Sequence, residues 1–204
     1  MLRRNFLASF GLGAAAVGVA AAAPRKPFAK PPTSKTLDVW RNALAAARLR
    51  EIARLASYRD AGWFPRNHRV LGSIPTFIDP NGAACAVGYL MQQSGRAPLA
   101  AEIARTNNNV YIEKITDGPA LDWILHSGLT QEECAFIQPS YRWEHPEPVP
   151  APIPEPTDET ERLRQHFATV ERQLLRDSET SLDRTLERLD AHIRTGDTID
   201  RVVT

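Results

Sequence analysis

Residues 98–139 read PLAAEIARTNNNVYIEKITDGPALDWILHSGLTQEECAFIQP, and their punctuation decides the fold. Pro98 stands where a first-turn proline opens a helix, over Leu99 to Thr106, and Asn107-Asn108-Asn109 closes it. Asp117-Gly118-Pro119 opens a second helix over Ala120 to Ser127, ended by Gly128. Thr130 and Glu133 form a Thr-x-x-Glu capping box for a third, which Pro139 must stop. Val110 to Ile115 could be a strand or another helical turn, and one isolated extended stretch does not make a sheet. The expected class is therefore mainly α: a compact domain of short, well-capped helices.

Upstream, Leu37, Trp40, Leu44, Leu49, Ile52 and Leu55 step at helical spacing, with Ser34 or Thr36 as cap and Gly62 as stop. This predicts one amphipathic helix of about seven turns. Gly62 to Pro75 is rich in turn residues, and Thr76-Phe77-Ile78 is a candidate short extended piece. Asp79-Pro80-Asn81-Gly82 is a turn leading into a small-residue helix over Ala83 to Ser94, ended by Gly95. The same four residues resemble an oxygen-rich calcium loop only superficially, because Pro80 and a missing bidentate Glu break the pattern.

The two ends of the chain carry different signals. Residues 1–23 have the layout of a signal peptide: Arg3 and Arg4, an apolar run from Phe6 to Val19, then alanines at 20 to 23. Arg3-Arg4-Asn5-Phe6-Leu7 resembles the bacterial twin-arginine export signal, with general secretion or a single membrane anchor as alternatives. Residues 24–35 form a basic, proline-containing arm. Pro146, Pro148, Pro150, Pro152, Pro154 and Pro156 alternate through 144–156, which predicts an extended spacer in polyproline II conformation. In residues 157–204, Leu163, Phe167, Val170 and Leu174 follow a 4-3-4 spacing, as do Leu182, Leu186, Leu189 and Ile193. The stripes are out of register, which suits one long helix with a stutter or a two-helix hairpin. Each is too short to stand alone, so the tail needs the core at 36–143, itself, a second copy or another protein.

Charge narrows the function classes. The 204 residues carry 25 basic and 24 acidic side chains, a net charge of +1, which gives no footprint for nucleic acid. Split by segment, residues 36–143 hold 11 bases and 10 acids, whereas 144–204 hold 8 and 14. His68, His126, His145, His166 and His192 are too dispersed for a zinc motif. No Gly-rich phosphate loop or haem attachment motif occurs, so neither metal nor cofactor is expected. Trp63, Phe64, Tyr141 and Trp143 flank the core in turn segments, as core anchors or as the lining of a groove.

The chemical question is the pair Cys85 and Cys134. In an oxidising compartment they most simply form a disulfide, which would stabilise the domain by about 4 kcal/mol. The sharper alternative makes Cys85 a nucleophile at a helix N-terminus, with His126 or His68 as base.

Two longer patterns carry a resemblance. Phe77-Ile78-Asp79-x-x-Gly82-x-x-Cys85-Ala86-Val87-Gly88-Tyr89-Leu90 is followed by Ser127-Gly128-Leu129-Thr130-x-Glu132-Glu133-Cys134-Ala135-x-Ile137-Gln138-Pro139. Together they resemble an uncharacterised family of secreted bacterial proteins, over roughly Tyr58 to Tyr141. The resemblance implies export and a shared fold, and assigns no catalytic residue. The expected protein is an exported, non-catalytic envelope module, periplasmic or secreted, that meets the membrane only transiently through its signal peptide. Its tail would serve protein contact or self-association, and the alternative is a small thiol hydrolase using Cys85.

Overall fold

A computed structural model describes residues 32–145 and 158–195. The signal peptide, most of the basic arm and all of the spacer except Glu144 and His145 lie outside the described residues. Lys35, assigned to the arm, belongs to the first helix. That helix, α1 (Ser34–Ala61), is capped by Thr33, whose hydroxyl accepts the Thr36 N–H at 3.3 Å, and ends at Gly62. It is followed by β1 (Ser73–Ile74), α2 (Ala86–Met91), a segment Gln92–Arg96 in which Gly95 (φ +79°) breaks the helix, and α3 (Ala97–Asn107). A 3-10 turn (Ile112–Lys114), α4 (Gly118–His126), α5 (Gln131–Ile137) and β2 (Tyr141–Arg142) complete the central part. The tail is α6 (Asp158–Arg176) and α7 (Ser178–Thr195). The protein is mainly α.

The capping box forms as the spacing requires: Thr130 Oγ1 accepts the Glu133 N–H at 3.1 Å, and the Glu133 carboxylate accepts the Thr130 N–H at 2.8 Å. The forms of three segments have local causes. The helix expected over Ala83 to Ser94 starts only at Ala86. Asp79 holds the preceding turn by accepting the Asn81, Ala83 and Arg66 N–H groups, and Cys85 occupies the cap position. Thr76 to Ile78 stays outside the sheet, although Ile78 makes an isolated antiparallel bridge to Ala84. Instead Asn108 takes the role of a neighbouring strand, accepting the Phe77 and Ile78 N–H groups and donating to the Ile78 carbonyl. Val110 to Ile115 closes as a 3-10 turn, clamped by the Gln131 and Gln138 amides. Among the described residues, one small sheet pairs Ser73 with Arg142 and Ile74 with Tyr141, antiparallel.

The tail turns back and runs antiparallel along α1. Arg59 meets Glu171 at 2.6 Å near one end, and Arg41 meets Glu179 at 2.7 Å, together with Asp183, near the other. Leu163, Phe167, Val170 and Leu174 are all buried in the main core beside Ile52, Leu55 and Tyr58 of α1. The Phe167 ring stands edge-on to Tyr58, centroids 5.2 Å apart. At about 1.5–3 kcal/mol per buried side chain, four such residues supply up to about 6–12 kcal/mol. That is comparable with the whole net stability of a typical domain, so α6 is part of the core. Leu182 and Leu189 belong to a second cluster with Leu44 of α1 and Leu121 and Leu125 of α4.

The register shift between the two stripes now has a geometric meaning. Eight residues from Leu174 to Leu182 turn a helix about 80° beyond two full turns, which re-aims α7 from the main core toward α4. The tail takes the stuttered form, one long helix interrupted at a single residue, rather than the hairpin. Ser181 N–H still bonds to the Asp177 carbonyl at 3.0 Å, so α7 continues α6 past one turn residue. Among the described residues, no helix is long and apolar enough to cross a membrane.

Candidate functional site

Cys85 lies where the Asp79 turn delivers the chain into α2. Its thiol is the helix cap, accepting the Gly88 N–H at 3.3 Å, and the residue is completely buried. Burial pushes the thiol up to about 12, against weaker opposing help from the Gly88 and Val87 amides and the Gln138 side chain. Beside it, Tyr58 donates to the Ala84 carbonyl at 2.8 Å, and the buried Tyr141 hydroxyl faces Tyr58 and the Ala86 backbone. Both phenols are pushed upward by burial. A neutral, enclosed thiol is the opposite of the electropositive, accessible setting that makes a cysteine reactive.

The structure does not bring the candidate bases to this thiol. His68 Nδ1–H donates to the Glu144 carbonyl at 3.0 Å, and His126 Nδ1–H to the Asp122 carbonyl at 2.6 Å on its own helix. Neither imidazole is among the groups that bond to Cys85. The expected disulfide is also corrected: Cys85 and Cys134 are both free, buried thiols. The reason is that each faces a different environment. Cys85 is committed to the Gly88 amide, whereas Cys134, in the first turn of α5, is raised by burial and then by the Glu133 and Glu51 charges, with Arg48 opposing.

That second environment is the polar centre of the molecule, and sequence reasoning missed it. Arg48 of α1 is completely buried. Its guanidinium grips the Glu133 carboxylate at 2.6 and 2.8 Å and donates to the Gly128 carbonyl at 3.0 Å and the Leu174 carbonyl at 2.7 Å. Ser181 of α7 adds a bond to Glu133 at 2.7 Å. One arginine thus joins α1, the α4–α5 turn, α5, α6 and, through Glu133, α7. The available signal was its position: Arg48 stands four residues from both Leu44 and Ile52, in the middle of the apolar stripe.

Above this network, a groove runs between α5 and the bend joining α6 to α7. It consists of two adjoining cavities of about 380 and 330 Å³, and Thr130, Glu132 and Arg184 line both. Ile124, Leu125 and Leu129 give the larger cavity an apolar floor, and Arg188 stands on its rim. Glu132 is held below the usual carboxylate range by its own backbone N–H, then by Thr130, Arg188 and Arg184. Arg188 donates to Gln131, whereas Arg184 makes no hydrogen bond or ion pair with the described residues. An apolar floor with a mixed-charge rim, on which Arg184 faces Glu132 and Asp177 without bonding to them, is suited to binding rather than to chemistry.

The aromatic residues divide. Phe64 and Tyr141 are buried core anchors, Trp143 is half-buried against the His145 ring, and Trp63 is exposed. No cluster of His, Cys, Asp and Glu among the described residues could hold a metal ion. Comparison with family models, curated proteins and solved structures gives no match for this chain.

Proposed function

We propose that this chain is an exported, non-catalytic cell-envelope protein that binds a partner at the groove between α5 and the α6–α7 bend. The observation that carries the reading is the pair of adjoining cavities sharing Thr130, Glu132 and Arg184. What favours it over a thiol hydrolase is the use of Cys85 as an enclosed helix cap, with His68 and His126 bonded to main-chain carbonyls elsewhere. Membership of the uncharacterised secreted family, and a periplasmic or secreted location, rest on the two motifs and on the Arg3-Arg4-Asn5-Phe6-Leu7 signal. The tail's role in protein contact is then to supply one wall of the groove, since its apolar stripes are already spent on the core.

Affinity capture from envelope extracts tests the binding surface. The wild-type chain should retain a partner that Arg184→Glu loses, while both chains melt at the same temperature. Capture unaffected by that substitution overturns the groove assignment. Replacing Arg3 and Arg4 by lysine should leave the protein in the cytoplasm, and continued export would remove the twin-arginine route.

A further inference from the structure

α1 is apolar on both sides, and the folded chain covers one of them. Leu44, Ile52 and Leu55 are buried, whereas Val39 and Leu49, on the outward side, are 51% and 61% exposed. Asn42, Ala46 and Ala53 are exposed on the same side, and Ala56 is half-buried there. Val39, Asn42, Ala46, Leu49, Ala53 and Ala56 succeed one another at 3-4-3-4-3 spacing, the a and d positions of a coiled-coil heptad. Lys35 and Asp60, both exposed, occupy the next positions of the pattern at either end. The seam so defined runs about 37 Å along the helix. A helix with apolar residues all round is normally covered all round.

The seam is complementary to itself in one orientation. Laid antiparallel on a second copy, Val39 meets Ala56, Asn42 meets Ala53 and Leu49 meets Ala46, so each of these layers sets a larger side chain against an alanine. An alanine in every layer lets the two axes approach toward the lower end of the usual ~8–10 Å separation. At the two ends Lys35 meets Asp60 of the other copy, an opposite-charge pair formed twice by symmetry. Among the described residues Lys35 has no hydrogen bond or ion pair, and Asp60 is held by Arg59, its neighbour in sequence, at 2.9 Å. The parallel orientation would instead bring Lys35 to Lys35 and Asp60 to Asp60. It would also alternate Leu49 pairs with alanine pairs, which cannot close at one separation. We infer that α1 packs antiparallel on α1 of a second copy of this chain, giving a twofold dimer through its outward face. The groove between α5 and the α6–α7 bend contributes nothing to this interface, so the dimer does not depend on what the groove binds.

Sedimentation velocity on the full chain tests the interface. The wild type should be dimeric at about 100 μM, as suits a single helix pair at the small end of stable interfaces. Leu49→Glu buries a carboxylate in both central layers and should raise the dissociation constant by about 100-fold or more. Its site is exposed in the single chain, so helical circular dichroism and the melting of dilute protein should not change. Lys35→Glu brings two carboxylates together at each end, and Asp60→Lys brings two ammonium groups together; either should weaken the dimer by about tenfold. Both substitutions agree with the helix dipole and leave α1 itself stable. Carried on one chain, they restore opposite charges across an antiparallel seam, and the dissociation constant should return to within about threefold of wild type. A wild type that is monomeric at that concentration overturns the proposal, as does a dimer indifferent to Leu49→Glu. A dimer that the paired substitutions fail to restore overturns the antiparallel register.

Discussion

Arg48→Met removes the guanidinium that joins α1 to the α4–α5 turn, α5, α6 and, through Glu133, α7, while keeping the helix and much of the side-chain volume. Its cost follows from what stays behind. The Glu133 carboxylate keeps the Thr130 N–H and the Ser181 hydroxyl but loses its counter-charge, and the Gly128 and Leu174 carbonyls each lose a donor. Removing one partner of a buried pair costs about 3–5 kcal/mol, because the other charge remains uncompensated. For a chain of this size that corresponds to a fall in Tm of roughly 6–20 °C. Urea unfolding should report a loss of the same size, with the midpoint moving and the slope nearly constant. The double variant Arg48→Met, Glu133→Gln should recover part of it, since neutralising Glu133 removes the stranded charge, and the coupling should exceed about 1 kcal/mol. A single variant within about 1 kcal/mol of wild type, or a strictly additive double variant, would refute the view that this pair joins the tail to the core.

The remaining expectations concern other sites. Gly128→Ala should cost more than about 3 kcal/mol: φ is +75°, and a Cβ would stand 2.2 Å from the Leu44 carbonyl oxygen and 2.7 Å from the Arg48 nitrogen of α1. Gly95→Ala shares the left-handed backbone but meets nothing within 4 Å, so thermal melts should show only about 1–2 kcal/mol. Thiol reagent should leave the native protein unlabelled and, after denaturation without reductant, modify both Cys85 and Cys134; labelling of the folded state would contradict their burial. Burial raises the Glu51 carboxyl, with Arg54 opposing, so its penalty on the fold is absent below the usual carboxylate range and grows as pH rises through the raised value. Glu51→Gln should therefore be the more stable protein at pH 8, with the difference from wild type narrowing toward pH 4 in denaturant titrations.

Legibility from sequence followed the range of the interaction. Thr130 with Glu133, Pro98 and Gly62 act on backbone groups within one turn, and the structure uses them at those places. The stripe on α1 was read less well. Leu49 was assigned to it yet is 61% exposed, whereas Arg48 beside it is fully buried. Hydrophobicity alone cannot reveal that a charged residue finds its partners 80 to 126 positions downstream. The same reason hid the polar step between the tail stripes. Ser181 is buried there because it bonds to Glu133 of the Arg48–Glu133 pair. The paired cysteines misled in the other direction. Their count suggested a bridge, but the cap made by Cys85 holds its sulfur at the end of α2. The groove was not legible at all, since its walls come from α5 and α7, which meet only after the chain has turned back.

The antiparallel docking of the tail also sets an order of events during synthesis. Arg41 is 142 residues ahead of Asp183, its partner on α7. At about 5–20 residues per second, α1 leaves the ribosome roughly 7–28 s before the helix that covers it. Throughout that interval Leu44, Ile52, Leu55 and Tyr58 lack the face against which they finally rest. The nascent chain therefore passes through a period in which its first helix is a client for chaperones, and shortening the tail would make that period permanent.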